Sequence, residues 1–162
     1  LANLHAYEAG AKAMNPDAKV LHTFIGSWYD PPKAKEAALA QVEQGADVLS
    51  AQGVGVIDAA VEKGVYALGA MTDQNAAGPK SVITSVTWNL APLVTSVGKS
   101  VMDGTWKSEN LSLGVASGAV QFAPFHDLES VIPADVLAKV EAARAEIAAG
   151  KFEVPHDTTP VE

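Results

Sequence analysis

Ala46-Asp47-Val48-Leu49-Ser50-Ala51, then Gly53-Val54-Gly55, then Val56 to Glu62 and Gly64, then Val65-Tyr66-Ala67-Leu68-Gly69-Ala70, and finally Ser81-Val82-Ile83-Thr84-Ser85-Val86 follow one another in the middle of the chain. Their order decides the fold. Short apolar runs bounded by glycine read as buried strands, and the stretch from Val56 has helical spacing. Working outward, Val20 to Ile25 reads as a further strand that precedes the others. Gly26 to Pro32 is a loop, and Asp30 is placed to cap a helix over Lys33 to Glu43 with Pro31 and Pro32 in its first turn. Ala2 to Met14 reads as a helix with Leu4, Tyr7, Ala11 and Met14 on one face, stopped by Asn15-Pro16. Beyond the last central strand, Asn89 to Met102 reads as a helix. Leu111 to Phe122 reads as a strand, a turn at its glycines and a second strand. Ile132 to Ala149 reads as an amphipathic helix, and the tail from Pro155 is polar. Alternation of strand and helix predicts an α/β fold: a three-layer α/β sandwich with a mostly parallel sheet.

Composition supports one folded domain. The chain has 162 residues, 48% of them hydrophobic and 19% charged. That is enough apolar material for a core. Eleven basic against nineteen acidic residues leave a net charge of −8, so a polyanion is repelled and nucleic acid and anionic membrane surfaces are poor candidates as partners. With no Cys there is no disulfide, thiolate metal site or cysteine nucleophile. No apolar run reaches the ~18–20 residues of a membrane span. The chain opens Leu1-Ala2-Asn3-Leu4-His5 without an initiator Met, which reads as a mature, processed or truncated start.

No catalytic constellation stands out in the sequence. His5, His22, His126 and His156 share no metal-ligand spacing on one helix, so neither a metal nor a cofactor is expected. No Gly-x-Ser-x-Gly elbow and no Walker sequence occurs; Gly53-Val54-Gly55 lacks the third glycine of a dinucleotide fingerprint, having Asp58 there. Polar and aromatic residues gather instead where the strands end: Ser27-Trp28-Tyr29-Asp30, Gln52-Gly53, Thr72-Asp73-Gln74-Asn75 and Thr87-Trp88-Asn89. In open α/β sheets ligands bind in the crevice outside those ends. Indole faces and amide or carboxylate groups on one rim suit a flat heterocycle. Each Trp also reads as a loop-packing anchor, Asp73 as a turn-former and Asn89 as a helix cap.

Those residues carry a family resemblance. Asn3 through Pro16 resembles the helix that opens the second lobe of basic membrane protein family lipoproteins, the substrate-binding proteins of ABC transporters. Phe24-Ile25-Gly26-Ser27-Trp28-Tyr29-Asp30-Pro31 resembles that family's Gly-Ser-aromatic-x-Asp motif, and Gly45-Ala46-Asp47-Val48 its Gly-Ala-Asp-Val strand. Gly64 to Gly69 with Thr72-Asp73-Gln74 resembles its Gly-Val-Tyr-Ala…Asp-Gln segment. Ile83-Thr84-Ser85 with Asp103-Gly104-Thr105-Trp106 resembles its Leu-Thr-Ser…Asp-Gly-x-Trp pattern.

The resemblance implies a type I periplasmic-binding lobe, here the second of two, with the N-terminal lobe, signal sequence and lipid-anchored Cys lying outside the chain. It implies an extracytoplasmic, non-enzymatic protein that binds a purine base or nucleoside in an interlobe cleft and passes it to an ABC permease. Carried onto this chain, Trp28 stacks on the base, Asp73 accepts hydrogen bonds from base or ribose, and Trp88 forms an apolar wall. Asn3 and Asp30 line the hinge side, and Gly53 sits in a binding loop shorter than the family's usual one. Nucleoside-binding members place a Lys where this chain has Trp88, which implies a preference for a free base such as adenine. Alternatives are a binding protein for another small polar solute, since one fold hosts many ligands, or an α/β enzyme acting on nucleosides with Asp73 as its acid or base.

Overall fold

The computed structural model describes residues 1–111, 113–154 and 156–161. Five helices and four strands are defined among them: α1 Ala2–Met14, α2 Pro31–Glu43, β1 Val48–Ser50, α3 Val56–Lys63, β2 Tyr66–Met71, β3 Val82–Trp88, α4 Ala91–Met102, β4 Val120–Phe122 and α5 Ala134–Ala148. The strands form one sheet in the order β1-β2-β3-β4. β1, β2 and β3 are parallel, with Leu49 beside Ala67 and Met71 beside Thr87, while β4 runs antiparallel to β3 with Val120 beside Trp88. The α/β class and the mostly parallel sheet are those expected.

Local chemistry sets the element ends. Asp30 Oδ1 accepts the Lys33 backbone N–H at 3.1 Å and caps α2, whose first turn absorbs Pro31 and Pro32. α3 is entered at Gly55 with φ +105° and left at Gly64 with φ +68°, backbone that a side chain disfavours. The crossover from β2 to β3 carries one short 3-10 turn, Asn75–Ala77. It lies tight on α3: a Cβ at Gly78 would sit 2.7 Å from the Val61 side chain and 3.2 Å from Ile57.

The core is built of small residues. Ala38 of α2 and Ile57, Ala59 and Ala60 of α3 pack on Leu49, Ala67 and Val82 of the sheet and on Ala51 just beyond β1. Alanine at these positions lets both helices approach the strands closely. A Lys35–Glu62 ion pair at 2.6 Å joins α2 to α3 at the surface, where such pairs contribute little. Helices α1, α4 and α5 have no buried residue.

Two strand expectations are corrected. Val20 to Ile25 forms no strand, and no backbone hydrogen bond joins it to the sheet. Its tie is a side-chain bond, Gln41 Nε2 donating to Thr23 Oγ1 at 3.2 Å. Apolar composition supplies a face to bury, but a strand also needs a partner edge, and β1 offers three residues. Leu111 to Phe122 yields a 3-10 turn at Val115–Ser117 and one strand, β4; Ser112, within the expected first strand, lies outside the described residues. The glycines that suggested a turn give it: Gly118 has φ +72°.

Candidate functional site

Parallel pairing brings the C-terminal ends of β1, β2 and β3 to one rim. Gly53 follows β1, Asp73 lies two residues beyond Met71, and Trp88 closes β3 beside the Thr87 that pairs with Met71. The start of α2 joins the same rim, because an added Gly55 Cβ would sit 2.3 Å from the Pro31 carbonyl oxygen. Asp30, one residue earlier, is therefore close to the Gly53–Gly55 turn. Four of the six expected residues thus share one edge of the sheet.

Trp28 stands in the loop before Asp30 with its indole fully exposed. Asn3 lies on an exposed position in the first turn of α1, and no hydrogen bond among the described residues ties it to the rim. The same helix carries Tyr7, whose phenol is pushed up first by burial and then by the Asp47 carboxylate at the opposite, N-terminal end of β1.

Asp73 is the most constrained group of the rim. Its Oδ1 accepts the Asn75 N–H at 3.1 Å, and its Oδ2 lies 2.8 Å from His126 Nε2. The backbone below it is pinned from the sheet: Gln74 N–H donates to Ser85 Oγ at 3.1 Å, and Gln74 Oε1 accepts the Ala70 N–H at 3.1 Å. Asn75 Nδ2 donates to the Val82 carbonyl at 3.3 Å. Ser85 is fully buried, and Gly69 makes room for it: a Cβ there would fall 2.3 Å from Ser85 Oγ. The turn-forming role expected of Asp73 is present in the Asn75 bond, and the His126 contact is additional. Sequence reading missed His126 because it lies 53 residues away and shares no local pattern with Asp73.

The Asn75 backbone donor, and after it His126, hold the Asp73 carboxyl below its ordinary range. A depressed folded-state value stabilises the fold above the unfolded carboxylate pKa, and this is lost as pH falls through the folded value. Asp73→Asn should therefore flatten the acid limb of a thermal-stability profile below about pH 4. The effect should be small, since the carboxylate side chain is 40% exposed; an unchanged acid limb would refute the assignment.

Trp88 is 52% exposed. It lines a shallow depression of about 270 Å³ with Leu90, Leu93, Leu111, Leu113, Ala119 and Val120. Asn89 is not the cap of α4, which is Leu90 without a side-chain cap bond; its Oδ1 instead accepts the Ala91 N–H at 3.1 Å and closes a turn before the helix. The rim therefore offers a fixed carboxylate acceptor and exposed indole surface. Among the described residues no serine or threonine hydroxyl hydrogen-bonds His126. No cluster of three or more metal-binding side chains occurs among them either, and no helix among them is long and apolar enough to cross a membrane.

An α/β lobe of this kind has counterparts among known proteins. Residues 2–158 match the Bmp family, described as ABC transporter substrate-binding protein PnrA-like. A purine-binding protein of Brucella abortus (strain 2308) is 33% identical over 151 residues, which cover 92% of this chain and 42% of that protein. An ABC transporter solute-binding protein from Conexibacter woesei superposes with a TM-score of 0.69 at 29% identity, covering 92% of this chain and 50% of the other. A transcriptional activator of the comK gene from Bacillus halodurans gives 0.77 at 28% identity, with 91% and 52% covered.

The chain belongs to the Bmp family of PnrA-like ABC transporter substrate-binding proteins. This is a family of binding proteins rather than enzymes. The chain spans about half the length of the relatives it matches, or less.

Proposed function

We propose that this chain forms one wall of a cleft that binds a purine base or nucleoside. The observation that carries the reading is the pairing, on one rim, of an ionised acceptor fixed in place, Asp73, with the half-exposed indole of Trp88. Purines and nucleosides present N–H and hydroxyl donors on a flat or partly flat body, and these two groups complement both features. The purine-binding name of the Brucella relative supports the same ligand class. Trp28 supplies a stacking face, Gly53 lets backbone approach, and Asp30 and Asn3 serve the hinge side. Asp30 Oδ1 is engaged in capping α2, so its part is to hold the helix start at the rim. A first lobe forms the opposite wall, and the depression around Trp88 and Leu113 faces it. The whole protein works outside the cytoplasm, lipid-anchored, and delivers its ligand to an ABC permease.

A single wall leaves one ligand face in water, whereas good sites bury about 70–90% of ligand surface. The isolated chain should therefore bind adenine or adenosine weakly, with Kd on the order of 1 mM. Nucleoside monophosphates should bind more weakly still, since the chain carries a net charge of −8 and the site a carboxylate. NMR titration with adenine, adenosine, its monophosphate and glucose tests this. Glucose matching adenosine would favour the other-solute reading, and conversion of a nucleoside to products would favour an enzyme. Submicromolar affinity would show that the chain alone holds a complete site.

A further inference from the structure

Two non-glycine residues among those described have a left-handed backbone, Met71 with φ +70° and His126 with φ +50°. Such conformations are strained for L side chains and persist where surrounding structure imposes them. Met71 is the last residue of β2, two before Asp73. His126 opens the 3-10 turn His126–Val131 that follows β4. Both strained positions therefore adjoin a single contact, Oδ2 of Asp73 against Nε2 of His126 at 2.8 Å.

The chain on either side is anchored. Ala123 N–H donates to the Ser85 carbonyl at 2.8 Å, and Thr84 Oγ1 donates to the Ala123 carbonyl at 2.7 Å from a buried position. These bonds fix the segment that carries His126 alongside β3, while Ser85 also holds the Gln74 N–H beside Asp73. One short piece of β3 thus sets both partners.

We propose that His126 is a positioning residue of the ligand site: its imidazole donates through Nε2–H to Asp73 and locks the carboxylate as a group that can receive only donors. With Oδ1 engaged by Asn75 and Oδ2 by His126, the remaining lone pairs take N–H or O–H groups of a ligand and reject ligand acceptors. The direction of the bond follows from the chemistry. An ionised carboxylate has no proton to give, so the hydrogen lies on the imidazole. No ionisable side chain occurs on β3; the turn itself carries Asp127 and Glu129, and among the described residues His126 is the one charged or chargeable side chain that bears on Asp73. The ligand selectivity rests on the site reading above, whereas the Nε2–H donor and the lock do not.

The experiment uses this chain with three substitutions, His126→Gln, His126→Ala and Asp73→Asn. 15N NMR at neutral pH should find a hydrogen on Nε2 of His126. The Asp73 carboxyl, followed by 13C NMR, should titrate higher in His126→Ala and near the parent position in His126→Gln, whose amide restores a donor. In adenosine titrations His126→Ala should weaken binding about threefold to tenfold, and His126→Gln should restore it to within about twofold. An Nδ1–H tautomer, or an Asp73 titration indifferent to loss of the imidazole, overturns the proposal. Should His126→Ala fail to fold on its left-handed backbone, His126→Gly removes the same group without that strain. If instead Asp73→Asn leaves adenosine binding unchanged while the NMR results stand, the site reading fails and the lock remains.

Discussion

Gly55→Ala should destabilise the chain by about 3 kcal/mol or more, combining about 1–3 kcal/mol of backbone strain with a similar overpacking term. The residue has φ +105°, and an added Cβ would lie 2.3 Å from the Pro31 oxygen and 3.1 Å from its carbonyl carbon. Both are backbone atoms of the first turn of α2, so no side chain can swing aside. Relief requires α2 and α3 to separate, which opens the alanine-lined contact of Ala38 and Ala59 with the sheet. Domains of this size are stable by roughly 5–15 kcal/mol, so the loss is a large fraction of the total. Denaturant unfolding of Gly55→Ala against Gly53→Ala measures it. An added Gly53 Cβ meets one atom, Ala34 Cβ at 3.7 Å, and that variant should stay within about 1 kcal/mol of the parent. Equal midpoints for the two variants would refute the argument.

Trp88→Ala should weaken adenine binding about tenfold or more in the two-walled protein proposed above. Base–aromatic stacking is worth roughly 1–3 kcal/mol per base, and about 1.4 kcal/mol is a factor of ten. Trp88 ends β3 with half its surface exposed and faces Val120 across the β3–β4 ladder. A side chain that exposed is a poor core anchor, which weighs against a purely packing role. Trp88→Lys exchanges a broad apolar face for a cationic donor, so it should shift preference from adenine toward adenosine, whose hydroxyls can accept from the ammonium. Calorimetry with both ligands on both variants decides the matter. Equal losses for adenine and adenosine, or unfolding of both variants, would make Trp88 a packing residue.

Much of the fold was legible because its signals are local. The Asp30 cap, the prolines at the start of α2 and the glycines at Gly55 and Gly64 mark helix ends through backbone chemistry that needs no partner. The apolar runs at β2 and β3 fell within a residue or two of the observed strands. Val20 to Ile25 failed for the converse reason. A strand is a property of two edges, and a run containing His22 and Thr23 with Phe24 largely exposed has no ladder here. The helix at Ala134–Ala148 was legible as a helix, but its apolar stripe says which face would be buried, not whether anything covers it; no residue in it is buried.

The candidate site divides along the same line. Gly53, Asp73 and Trp88 were legible as a group because parallel strands deliver their ends to one edge. His126 reaches Asp73 only through the return of the chain along β3, a relation between distant segments that no spacing in the sequence encodes. Asn3 was carried by resemblance alone, and the first turn of α1 gives it an exposed position with no tie to that edge.

The uneven burial described for the helices separates the molecule into two mechanical parts. α2, α3 and the three parallel strands share one interlocked interior, while α1, α4 and α5 hold on by their surfaces. Elements with few buried apolar contacts open at low free-energy cost, and interlocked ones open only with the whole. Gly53 and Asp73 are carried by the stiff part, and so is the strand that ends in Trp88. The rim thus rides on a chassis whose interior is interlocked, while the outlying helices are held only at their surfaces. One short chain thus combines a rigid frame with a more pliable mounting.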